Sequence, residues 1–187
     1  VVLLSTLFFG TVGIENWPVL TTLWALLPLF NAVYFCFVPI HTLVEEKQRS
    51  LSIRDLFSLK IFWILALLMV CAGASEQAMS QWASAFAESG LHVSKTMGDL
   101  LGPCLFAVLM GTSRLLYARL SHRISLQKGL ILSGILCLLS YALTLFSPLP
   151  LLSLLGCGLC GFSVGMLWPG TFSLASIHCP AGGTAMF

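Results

Sequence analysis

Glu76 is the residue on which chemistry could turn. It lies in Gly73-Ala74-Ser75-Glu76-Gln77-Ala78-Met79-Ser80-Gln81-Trp82, inside a long apolar run. A carboxylate at membrane depth costs about 2.5–3.5 kcal/mol on insertion scales, so one that persists there marks a path for a solute, an ion or a proton. Glu76 and Ser80 are four residues apart and share a helix face, while Gln77, Gln81 and Ser84 share the adjoining one. With Trp82 they supply carboxylate, amide, hydroxyl and an indole plane, an inventory suited to hydrogen-bonding a polar solute and stacking its ring. The competing reading of Glu76 is hydration near an interface or a structural bond between helices. Counted from Ile61, it stands about 16 residues into a helix, roughly 24 Å along the axis and past the bilayer midplane.

The remaining candidates are sparser. Gly73, Ala74 and Ser75 weaken the helix just before Glu76, and a bend is expected there. A later run carries Gly156, Gly158, Gly161 and Gly165 followed by Trp168-Pro169-Gly170, which is expected to interrupt its helix. Gly161 and Gly165 form a G-x-x-x-G step that allows close helix approach, so packing explains these glycines as well as function does. Asn31 reads as a bond to a neighbouring helix. His41, His92, His122 and His178 fall near the ends of runs, where solvated histidine is ordinary. Cys157 and Cys160 spell C-x-x-C inside an apolar run; a single pair supplies too few ligands for a structural zinc site, and cysteine in such a place acts as a small hydrophobe. No metal site is expected. H-E-x-x-H, G-x-S-x-G and Walker patterns are absent from the sequence, which removes the familiar hydrolase and ATPase signatures and makes a catalytic role unexpected.

The elements that must position these residues are membrane spans. Of the 187 residues, 58% are hydrophobic and only 9% charged, with a mean hydropathy of +0.97; an average globular chain has about a quarter charged residues. A net charge of +2 gives no case for a nucleic-acid partner. With about 20 helical residues needed per crossing, the runs read as the tail of a span over 1–13, a turn at Glu15 to Pro18, and spans over 19–40, 61–86, 97–117, 129–146 and 149–168. The chain reads as a fragment, since it opens and closes within apolar stretches. Residues 41–60 read as an amphipathic segment on the membrane surface, in which Leu51, Ile53, Leu56 and Phe57 recur with helical spacing. Continuous apolar runs lack the two-residue alternation of barrel strands, so the fold class is all-α, a polytopic transmembrane helical bundle.

Charge fixes the orientation. Lys47, Arg49, Arg54 and Lys60 form one basic island and Arg114, Arg119, Arg123 and Lys128 a second; only Lys95 lies elsewhere. Two spans separate the islands, so both fall on one side, and the positive-inside tendency makes that side cytoplasmic.

These features resemble the major facilitator superfamily of transporters, and the resemblance covers essentially the whole chain. Ala118-Arg119-Leu120-Ser121-His122-Arg123 is similar to the family's basic loop, G-x-L-[AS]-D-R-x-G-R-[RK], in the degraded form it takes between the eighth and ninth helices; Ala118 replaces the glycine and His122 the aspartate. The resemblance implies that residues 1–40 end the first six-helix half, 41–60 are the cytoplasmic linker, and 61–187 hold helices seven to ten and the approach to the eleventh. It implies a cytoplasmic gating loop with Arg114, Arg119 and Arg123, and a solute site of Glu76, Gln77, Ser80, Gln81, Trp82 and Trp168. Gly73 to Trp82, Trp168-Pro169-Gly170 and Pro180 to Gly183 look similar to fucose-permease-like, sugar-transporting branches. The expected function is alternating-access transport of a small polar solute of sugar type, with a proton as the coupling ion and no other cofactor. The expected setting is a bacterial plasma membrane, with the lipid bilayer as partner and a monomer as the unit. The rival reading is a polytopic scaffold or an intramembrane enzyme using Glu76, although no second catalytic group at similar depth accompanies it.

Overall fold

The computed structural model describes residues 2–39, 52–120 and 124–179. The surface segment expected over 41–60 lies largely outside them, as do Arg123 and the loop from Pro180 to Gly183. The chain divides into two compact units, Val1–Gln48 and Arg49–Phe187.

The first unit is a helical hairpin. α1 (Val2–Val12) ends at Gly13, whose positive φ of 91° suits glycine alone, and a 3-10 turn over Ile14–Asn16 feeds α2 (Trp17–Phe35). Pro18 stands in the first turn of α2, where its missing N–H costs nothing.

The second unit holds the site. α3 (Ile53–Ser58) is one short turn whose Phe57 carbonyl accepts from the Trp63 indole at 2.9 Å. It leads into α4 (Lys60–Ser89), which crosses without interruption through Gly73-Ala74-Ser75, so the weakened stretch remains helical. After a turn in which His92 takes a left-handed φ of 54°, α5 (Lys95–Asp99), a π-helical turn over Leu100–Cys104 and α6 (Leu105–Leu120) form one rod of 26 residues. Pro103 sits in that π turn; proline cannot donate to a carbonyl four residues back, and the wider turn relieves the clash its ring would make. α7 (Leu126–Phe146) and α8 (Pro150–His178) complete the unit. α8 continues ten residues beyond Trp168, so Trp168-Pro169-Gly170 lies within the helix rather than ending it.

α8 is the centre of this unit. Fourteen of its 29 residues are buried, against five of the 30 in α4. Its small residues make that possible. A Cβ on Gly161 would overlap the Phe106 carbonyl oxygen of α6, and one on Gly165 would stand 2.8 Å from the Met110 carbonyl oxygen, so the G-x-x-x-G step is a backbone-to-backbone contact between α6 and α8. Gly156 faces α7, where a Cβ would meet Thr144 Oγ1 at 2.5 Å. Cys137, Cys157 and Cys160 lie in the same packed core beside Phe106 and Val164, as free thiols. Two buried hydroxyls answer their own helix, Ser140 donating to the Leu136 carbonyl at 2.7 Å and Ser163 to the Cys160 carbonyl at 2.7 Å, while the buried Ser153 Oγ has no partner among the described residues.

The outward faces are apolar. Leu132, Leu138, Leu145 and Phe146 on α7 are 67–82% exposed, a surface that hydrocarbon tolerates and water does not. Five helices among the described residues are long and apolar enough to cross a bilayer. Consecutive helices run antiparallel, so Arg54, Lys60, Arg119 and Lys128 lie at one end of the unit and Glu88 and Lys95 at the other.

Candidate functional site

A cavity of about 900 Å³ opens between α4, α6 and α8. From α4 come Gly73, Glu76 and Gln77; from α6, Arg114, Tyr117 and Ala118; from α8, Gly165, Met166, Trp168, Pro169, Phe172 and Ser173. Three of the residues singled out from sequence, Glu76, Gln77 and Trp168, therefore share one space. Arg114 joins them from an unexpected quarter. α6 runs on to Leu120, so Arg114 and Arg119 are helical rather than part of a loop, and Arg114 stands six residues before the helix end, about 9 Å inside it. Arg119 remains an exposed residue of the last turn, outside the cavity lining.

Proline chemistry explains how Arg114 is held. Pro169 has no N–H, so the carbonyl four residues earlier in α8, that of Gly165, has no intrahelical donor. Arg114 Nε donates to that Gly165 oxygen at 3.2 Å, and a terminal guanidinium nitrogen lies 3.7 Å from Met110 Sδ. The glycine at 165 matters twice, because its bare Cα lets α6 approach and its carbonyl receives the guanidinium. A guanidinium has five N–H donors, and one oxygen and one weak sulfur acceptor leave most of them for whatever enters the cavity.

Glu76 faces Arg114 at a similar level. A Cβ on Gly73 would lie 3.6 Å from Trp168 Nε1, which matches the two positions across α4 and α8. Glu76 is three residues further along α4 and Gly165 three residues earlier on the antiparallel α8, so both move about 4.5 Å in the same direction. Carboxylate and guanidinium thus flank the cavity within about one helical turn of each other. Glu76 is half-buried and has no hydrogen bond among the described residues. Trp168 and Phe172, four apart on α8, stack with centroids 6.2 Å apart and planes 18° from parallel, forming an aromatic wall.

The rest of the expected set lies elsewhere. Gln81 Nε2 donates to Gln77 Oε1 at 3.0 Å and the Ser80 hydroxyl donates to the Gln77 carbonyl at 3.4 Å, so both touch a lining residue without lining the cavity. Trp82 is 70% exposed on the outer surface of α4. Ser84, grouped with Gln77 and Gln81 by spacing, turns instead to α5 and donates to Asp99 Oδ1. Sequence reasoning passed over Tyr117 and Phe172; the four-residue step from Trp168 to Phe172 was the available signal. A second hollow of about 520 Å³ between α4, α7 and α8 is apolar apart from Ser75, Gln127, Thr171 and two thiols, and it brings no opposite charges together.

Against known proteins, a family model described as Major Facilitator Superfamily matches residues 1–187. No curated protein and no protein of known structure matches the chain.

Proposed function

This chain belongs to the major facilitator superfamily, a family of secondary transporters set in the membrane, and we propose that it moves a small hydroxylated solute of sugar type by alternating access, coupled to a proton carried on Glu76. The observation that carries this reading is the shared cavity, which joins Glu76, Gln77 and Trp168 in a space of solute size. In this reading α4 and α8 are the seventh and tenth helices of the fold, each opening one three-helix repeat of the second half. Residues 1–40 close the first half, 41–60 link the halves, and 61–187 belong to the second. The basic ends face the cytoplasm of a bacterial cell.

The parts divide the work physically. Trp168 and Phe172 offer an apolar wall for a sugar ring's C–H face, and Gln77, Ser173 and Tyr117 offer hydrogen-bonding groups for hydroxyls. Ser80, Gln81 and Trp82 act behind this layer, with Gln81 orienting the Gln77 amide. Facing Glu76 from α6 are Arg114 and Tyr117, and α8 contributes no ionisable group to the lining among the described residues. Glu76→Gln removes the proton carrier and keeps a hydrogen-bonding side chain. In the transporter that carries this sequence, this change should abolish accumulation driven by a pH gradient while solute exchange continues; pH-driven uptake at the original rate would sink the assignment.

A further inference from the structure

We infer that Arg114 is the anion-binding residue of this cavity, so that the solute carries a carboxylate, a sugar acid rather than a neutral sugar. The inference rests on the transport reading above and sharpens its substrate class. It starts from charge. Arg114 is the lining's cation and Glu76 its carboxylate among the described residues. A guanidinium stays protonated under all physiological conditions. Among the described residues its side-chain partners are one backbone oxygen and one thioether, neither of which neutralises it. A cation that lines a cavity with no carboxylate against it offers a charge-assisted site to an anionic group.

Glu76 alone is a poor permanent partner, because it sits across the cavity and not against the guanidinium; no ion pair joins them among the described residues. Their opposition works better as a switch. With Glu76 ionised, the lining is neutral overall and an incoming carboxylate meets repulsion on one side and attraction on the other. With Glu76 protonated, the lining carries one net positive charge and the same carboxylate is attracted throughout. Proton and anion therefore favour each other's binding, and a cotransported pair enters without net charge. A zwitterionic solute fits less well, since its ammonium would need Glu76 ionised and leave no site for the coupling proton.

The hold on Arg114 supplies the geometry. Nε is engaged by the Gly165 carbonyl that Pro169 leaves open, and this fixes one edge of the guanidinium; the terminal nitrogens, one of them only weakly held by Met110 Sδ, can make a two-pronged contact with carboxylate oxygens. Tyr117, Gln77 and Ser173 would then meet the hydroxyls, and Trp168 the carbon face.

The test uses gluconate and glucose, which differ chiefly in charge, as probes of the transporter that carries this sequence, reconstituted in liposomes. Phenylglyoxal modification of Arg114 is read by peptide mass spectrometry with each probe present. Gluconate should protect Arg114 severalfold, more at acidic than at alkaline pH, and glucose should not. Equal protection by glucose, or none by gluconate, overturns the inference while leaving proton-coupled transport through the cavity standing, because Glu76→Gln tests that separately. Pro169→Ala gives Gly165 back an intrahelical donor and keeps every charge. It should lower gluconate protection severalfold at an unchanged or raised melting temperature, whereas full protection in that variant overturns the positioning by Pro169.

Discussion

At the scale of single residues, the site depends on what glycine and proline leave out. Gly73 has room for a methyl group, since the nearest atom, Trp168 Nε1, would be in ordinary contact at 3.6 Å. Gly73→Ala should therefore transport normally, while Gly73→Leu should fill the cavity and push the indole aside, stopping uptake of the solute without preventing insertion; parallel uptake and melting measurements separate the two. Tyr141 tests a polar tie between α7 and α4. Its hydroxyl donates to the Ser75 carbonyl at 2.8 Å, one residue before Glu76. Tyr141→Phe should cost about 0.6–1 kcal/mol, a drop of a few degrees in melting temperature.

At the scale of elements, the contact of α6 with α8 is the one that admits no growth. Gly161→Ala should force the two helices apart and destabilise by about 1–3 kcal/mol. Gly134→Ala on α7, where a Cβ meets nothing within 4 Å, should be neutral or stabilising by about 0.5–1 kcal/mol. Thermal melts of the two variants check the contrast. Spans of this kind are legible in sequence because apolar length is a one-dimensional signal: Leu126–Phe146 and Lys60–Ser89 fall close to where hydropathy places them. The π turn at Leu100–Cys104 and the passage of α8 through Pro169 were not legible, since both depend on which neighbour satisfies a freed backbone group. The site divides in the same way. Glu76 and Gln77 stand out as polar residues in an apolar run, but the basic cluster hid Arg114, whose depth becomes visible only when α6 is followed to Leu120.

At the scale of the whole molecule, orientation turns on where the basic residues gather. Arg54, Lys60, Arg119 and Lys128 share one end of the second unit. We expect that end to face the cytoplasm, as the positive-inside tendency requires. In a background lacking the seven native cysteines, Arg49→Cys or Arg123→Cys should react with an impermeant thiol reagent only after the cells are opened; labelling of intact cells would reverse the topology. The bond between Arg114 and Gly165 also bears on biogenesis. Its two ends are 51 residues apart, and a ribosome adding about 5–20 residues per second needs several seconds to make the second after the first. Throughout that interval the acceptor of Arg114 has not yet been made, so this tie between α6 and α8 can close only after α8 has joined α6.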